Sequence, residues 1–167
     1  MHQVFVPNLE VQSIYEIDPL QLRALGIDVV LTDLDNTLVR TFEKEAPAEL
    51  IDWLNRFMAA GLRVMIISNN SNVRVGSFAR RYGLPYIAVA KKPLKFCFQK
   101  AMTHFNVRSD SVAMIGDQLM TDIFGANRMK LYSIWVHPIE RKTDGRWTKI
   151  NRAMEGVVLK WIRSKQN

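Results

Sequence analysis

One cysteine in 167 residues removes two classes of protein at the outset. Cys97 alone can form neither an internal disulfide framework nor a multi-cysteine zinc site, and its place between Phe96 and Phe98 is that of a core side chain in a reducing cytoplasm. Long apolar runs are missing too. Stretches such as 64–67 fall far short of the roughly 18 residues needed to cross a bilayer. The N-terminal residues 1–7 lack the basic start and sustained apolar run of a signal peptide, so none is expected. Acids are outnumbered: 16 Asp and Glu against 23 Lys and Arg leave a formal charge of +7. That balance favours anionic partners, whether phosphorylated metabolites, nucleic acid or an acidic membrane surface, without choosing among them. Repeats and low-complexity segments are absent. With 48% hydrophobic and 23% charged residues the chain is not globally disordered. Its length suits one domain, 1–167, that buries roughly two thirds of the surface of the unfolded chain.

What is present is an alternation. Residues 1–27 read as a lead-in segment in which Asp18-Pro19 starts a short helix that Gly26 ends. A nearly continuous β-branched apolar run, 29–34, has the character of a strand buried on both faces. A helix from Pro47 to Gly61 comes next, then a strand over 62–67, a helix from Ser71 to Tyr82 and a short strand over 86–90. The order continues with a helix to Phe105, a strand over 112–115, a helix over 121–129 and a strand over 131–136. Alternating β and α elements predict an α/β fold with a doubly wound, mostly parallel sheet. No inserted segment is long enough for a large cap domain, so an open site is expected.

The first strand ends in a pair of acids, Asp33 and Asp35, in Asp-Leu-Asp-Asn-Thr. Burying a carboxylate is costly unless cations or donors compensate it, and two like charges add repulsion. In an extended chain, residues i and i+2 point the same way, so both acids are expected in one small volume. Mg²⁺ is the simplest partner, since it takes oxygen ligands and leaves positions for water and phosphate. The bland alternative is a turn, with Asp and Asn bonding nearby backbone and Thr37 capping the next segment.

Polar clusters recur at the later strand ends. Ser68-Asn69-Asn70 is as readily a loop, with Ser71 capping the next helix. Lys91-Lys92-Pro93 alone is most simply a solvated turn. In Gly116-Asp117 through Asp122, glycine permits tight backbone at a strand end, while Asp122 alone reads as a helix-start charge. Ligands of open parallel sheets bind beyond the carboxyl ends of the strands, so these clusters are expected to share one edge. Together they suit phosphoryl transfer.

The ordered set, acid-x-acid, Ser-Asn, Lys-Pro, then Gly-Asp-x-x-x-x-Asp, resembles the haloacid dehalogenase superfamily of phosphatases, whose fold is Rossmann-like. Gly125-Ala126-Asn127-Arg128 and the later Thr143-Asp144 and 148–152 look like the YqeG-type branch, related to mitochondrial phosphatidylglycerophosphate phosphatases. The resemblance implies a Mg²⁺-dependent phosphomonoester phosphatase with Asp33 as nucleophile, carried through an aspartyl-phosphate, and Asp35 as general acid and base. It implies phosphate held by Ser68, Asn69 and Lys92, with Lys91 as the alternative lysine. Metal binding falls to Asp33, the backbone carbonyl of Asp35 and Asp117, supported by Thr37 and Asp122. A phosphatidylglycerophosphate or another large or surface-bound phosphate fits the expected open site.

A C-terminal helix over 150–165 would place Met154, Val157, Val158, Trp161 and Ile162 on one stripe. It reads either as a cover for the sheet or as a basic amphipathic helix on anionic lipid. The expected setting is cytoplasmic, with peripheral membrane contact as the second reading and oligomerisation open. Two rival classes remain. A receiver-like phosphoacceptor domain would carry its aspartate on a later strand. A noncatalytic phosphate- or RNA-binding module would use the positive charge, but no aromatic-rich RNA signature or basic tail is present, so nucleic acid is not an expected partner.

Overall fold

The computed structural model describes residues 2–140 and Gly156. Six strands form one parallel sheet in the order β1-β6-β5-β2-β3-β4: β1 Leu9–Val11, β2 Val29–Thr32, β3 Arg63–Ile67, β4 Tyr86–Ile87, β5 Val112–Gly116 and β6 Tyr132–Val136. The helices are α1 Pro19–Ala24, α2 Ala48–Ala59, α3 Asn72–Arg81, α4 Lys95–Phe105 and α5 Phe124–Arg128. A π-helical turn, Leu119–Ile123, leads into α5. The doubly wound parallel sheet predicted from the alternation is the one observed.

Burial on both faces explains the continuous apolar runs. Along β2, β3 and β5 alternate side chains enter different cores. Val30, Val64, Ile66, Ala113 and Ile115 join Trp53, Phe57 and Phe78 of α2 and α3. Val29, Leu31, Met65, Ile67, Val112 and Met114 join Phe98 and Ala126 of α4 and α5. A period of two on a strand therefore fills both layers at once.

Three details differ from the sequence reading. The lead-in segment contributes β1, which pairs with β6 at the sheet edge through Leu9 and Ile134. β4 is only two residues long, because the backbone turns away at Val89, whose φ is +48°. Pro93 precedes α4, which starts at Lys95, rather than lying in its first turn. The expected cap of α1 holds: Asp18 accepts a bond from the Leu20 amide at 2.9 Å. The expected helix over 150–165 lies outside the described residues apart from Gly156. Among the described residues no connection holds an inserted domain.

Register brings the site together. Thr32 aligns with Ile66 of β3 and Ile115 of β5. The next residues along are Asp33 after β2, Ser68 just past the end of β3 and Asp117 just past the end of β5. The chain winds from β2 toward β3 on one side and returns to β5 on the other, so the β2–β5 gap is the topological switch where such sheets open a crevice.

Candidate active site

At that switch, Asp33 is 5% exposed and Asp117 and Asp122 are fully buried. One oxygen from each of the three carboxylates lies within 4.8 Å of the others. Lys92 stands beside them, also 5% exposed. Its Nζ donates to Asp33 Oδ1 at 2.7 Å and to the Ile67 carbonyl at 2.8 Å, and it pairs with Asp122 Oδ1 at 2.7 Å. Three acceptors match the three protons of an ammonium. Burial works against that charge, but Asp122 and Asp33 outweigh it and move the Lys92 pKa upward.

Asp33 moves in the same direction for another reason. Burial pushes its carboxyl up to about 7, Lys92 opposes the shift, and the charges of Asp122 and Asp35 add to it. Two buried carboxylates thus hold the ammonium and a third, Asp117, lies within 4.8 Å of them, a donor set of hard oxygens that fits a divalent cation. Asp122 depends on Gly116: a Cβ there would stand 2.3 Å from Asp122 Oδ2. The Asp122 carboxylate also accepts the Gln118 amide at 3.1 Å. Thr37 Oγ1 donates to Asp117 Oδ1 at 3.3 Å, tying the loop after β2 to the end of β5.

Asp35 does not share this cluster. β2 ends at Thr32, so the alternation of an extended strand no longer governs the two acids. Asp35 Oδ1 accepts from Arg74 Nε at 3.1 Å and from Arg74 Nη2 at 2.8 Å, while Oδ2 accepts from Asn70 Nδ2 at 2.8 Å. Arg74 also donates to the Glu43 and Arg40 carbonyls. One guanidinium therefore binds Asp35 to the loop after it. The sequence reading missed Arg74. An arginine in the first turn of α3 resembles any solvated helix cation, and only the folded loop supplies its carbonyl acceptors.

Ser68 is buried, and its Oγ accepts the Asn70 amide at 3.2 Å. Asn69, expected beside the phosphate, bonds the Lys92 peptide: Oδ1 accepts the Lys92 amide at 2.7 Å and Nδ2 donates to the Lys92 carbonyl at 3.1 Å. The side chain clasps the peptide that carries the lysine. Lys91 is exposed, leaving Lys92 as the lysine in the cluster. Asp33, Ser68, Lys92, Asp117 and Asp122 thus meet at one sheet edge, with Asp35 beside them on its own partners.

The model of the mitochondrial PGP phosphatase family matches residues 1–139. The chain belongs to that family. It is 34% identical over 165 residues to a probable phosphatase, YqeG, of Bacillus subtilis, covering 99% of this chain and 95% of that one. It is 28% identical over 144 residues to the chloroplastic phosphatidylglycerophosphate phosphatase 1 of Chlamydomonas reinhardtii, covering 80% of this chain but 53% of the relative. A cobalt-bound deoxy-D-mannose-octulosonate 8-phosphate phosphatase from Haemophilus influenzae shares the fold, with TM-score 0.51 and 15% identity over 81% of this chain and 89% of that one. Family membership makes the chain a phosphoric monoester hydrolase.

Proposed function

We propose that the chain hydrolyses a phosphomonoester through an aspartyl-phosphate on Asp33, with Mg²⁺ as its cation, and that its substrate is phosphatidylglycerophosphate or a similar lipid-borne phosphate. The observation that carries this is the separation of the two acids: Asp33 lies against Lys92 in the buried cluster, and Asp35 is held apart by Arg74 and Asn70. That separation supports a division of labour in which one attacks and the other moves protons.

In this reading an Asp33 oxygen forms a bond to phosphorus as the ester oxygen leaves, and protonated Asp35 gives that oxygen its proton. Asp35, now a carboxylate, takes a proton from water. The water oxygen bonds to phosphorus, the acyl-phosphate bond breaks, and Asp33 and inorganic phosphate are restored. Ser68 and the Lys92 ammonium hold phosphate oxygens, and Asn69 acts by fixing the Lys92 backbone. Asp33, Asp117 and the Asp35 carbonyl would hold the cation, with Thr37 and Asp122 bracing them. When bound, it supplies charge that lets a carboxylate approach an anionic phosphate. All residues with assigned roles fall between Asp33 and Asp122, and 1–167 acts as one catalytic domain. Burial pushes the Cys97 thiol up to about 11, so it takes no part in this chemistry.

The test is a phosphate-release screen that includes phosphatidylglycerophosphate, phosphosugars and nucleotides. Release is expected with Mg²⁺ and lost with a chelator. The same cation should raise the melting temperature, and more at pH 8 than at pH 5. Asp33 ionises at 3.8 in an ordinary setting and at about 7 here. Through that window the folded chain keeps a proton that the unfolded chain has released, so without metal its stability falls as pH rises. A cation offsets the anion only where the anion exists. Equal melting with and without Mg²⁺ at pH 8 would count against the site.

Arg74 is a positioning residue in this reading. Arg74→Ala should lower kcat roughly ten- to a hundredfold, the effect of a misplaced proton carrier, with a smaller change in KM. Guanidinium added to the buffer should recover part of the rate. A purely structural loss would lower stability without such recovery.

A further inference from the structure

Among the described residues, the three most exposed large apolar side chains are Val73 at 77%, Phe42 at 76% and Phe96 at 72%. They come after β3, β2 and β4 respectively, three neighbouring strands of a parallel sheet, so all stand at the carboxyl edge that carries the candidate active site. Val89 and Leu94, also exposed, lie in the β4–α4 connection. Hydrogen bonds lace these segments together. Arg74, next to Val73, donates to the carbonyls of Arg40 and Glu43 on either side of Phe42. The Val89 amide donates to the Asn70 carbonyl at 2.9 Å. These apolar groups therefore belong to the rim of the edge that carries Asp33, with Val73 at the start of α3 and Phe96 at the start of α4, helices that cover opposite faces of the sheet. Leu20, Leu25, Ile51 and Met58 are exposed as well, but on α1 and α2 or at their ends.

Cations accompany the rim. Arg40, Lys44, Lys91 and Lys95 are exposed in the same connections. Of the nearby acids, Glu43 lies against Arg40, Glu45 against Arg81 and Asp35 against Arg74, while Glu49 is exposed in the first turn of α2. Exposed phenylalanine beside exposed lysine suits an interface where rings enter the acyl boundary and ammonium groups meet lipid phosphate.

We propose that this rim docks the protein on an anionic bilayer, with Phe42, Val73 and Phe96 inserted and Lys44, Lys91 and Lys95 at the headgroups. The charge of +7 and these paired acids favour an anionic lipid surface over a second, equally basic copy of the chain. Docked this way, the carboxyl edge faces the membrane, and a phosphate on a lipid headgroup reaches Asp33 without leaving the bilayer. That consequence rests on the phosphatase reading; the docking itself does not.

The 167-residue chain should sediment with phosphatidylglycerol-containing vesicles at low salt and be released at high salt. Phe42→Ser with Phe96→Ser should weaken vesicle binding at least roughly tenfold, from two lost aromatic insertions. Lys44→Gln with Lys95→Gln should weaken it by roughly fivefold per charge at low salt. Both double variants should hydrolyse soluble p-nitrophenyl phosphate at the parent rate. Absence of parent binding at low salt, or unchanged binding by the Phe42 and Phe96 variant, would overturn the proposal, the latter placing the contact elsewhere in the chain. So would a change in oligomeric state with no loss of vesicle binding, which would make the rim a contact between copies. Vesicle binding that needs Phe42 and Phe96 in a protein without phosphatase activity would leave the docking face intact and remove the catalytic reading instead.

Discussion

Asp33→Asn should abolish phosphate release, by on the order of 10⁴-fold or more, while the protein melts at or above the temperature of the parent in metal-free buffer at pH 8. The amide has nearly the same shape, and its oxygen can still accept from Lys92. It cannot form the acyl-phosphate. Stability moves the other way because the native carboxylate is held against its preference: burial, Asp122 and Asp35 all push Asp33 toward its protonated form. Lys92 keeps Asp122 and the Ile67 carbonyl as partners. Removing the charge relieves repulsion at the cost of the chemistry, the usual signature of a strained functional site. Mg²⁺ should also stabilise the variant less than the parent, since a ligand has lost its charge. Phosphate release within tenfold of the parent would show that another group attacks. A large drop in melting temperature would show that Asp33 serves chiefly as Lys92's counter-ion.

The residues at the strand ends were legible because a parallel sheet is a positional code. Once 29–34, 62–67 and 112–115 read as buried strands, the polar residues that end them had to share one edge, whatever their separation in sequence. Asp33, Ser68 and Asp117 come directly after β2, β3 and β5. Lys92 and Asp122 sit a few residues further on and are returned to the edge by Asn69 and by the cramped turn at Gly116.

The features that escaped the sequence depend on partners that folding supplies. β1 has three residues, one of them Glu10, too few for any period to show. Its strand character comes from pairing with β6. The amide of Asn69 could as well have faced phosphate as backbone, and its orientation is fixed only by the position of the Lys92 peptide. Asp33 and Asp35, expected to converge, sit on different partners, because β2 stops one residue before the first acid. From there a tight loop, with the Leu38 and Val39 amides both donating to the Leu34 carbonyl, sets each carboxylate separately.

Lys92→Met should be strongly destabilising, costing roughly 3–5 kcal/mol, because it strips a buried cluster of its cation and leaves the anions in place. The ammonium meets Asp33, Asp122 and the Ile67 carbonyl within 2.8 Å, and methionine satisfies none of them. Catalysis should fall with it, by roughly 10²–10³-fold, since the charge that meets the phosphate is gone. Two conditions should separate these losses. Lowering the pH protonates the stranded carboxylates, and adding Mg²⁺ screens them, so each should restore part of the melting temperature; neither returns an ammonium to the phosphate, so the rate should stay low. Lys91→Met, one residue away and exposed, should change stability by less than about 0.5 kcal/mol. If the two variants behaved alike, the lysine would be a surface charge after all; a stability loss confined to Lys92 and relieved by acid or metal is what two buried carboxylates on one ammonium require.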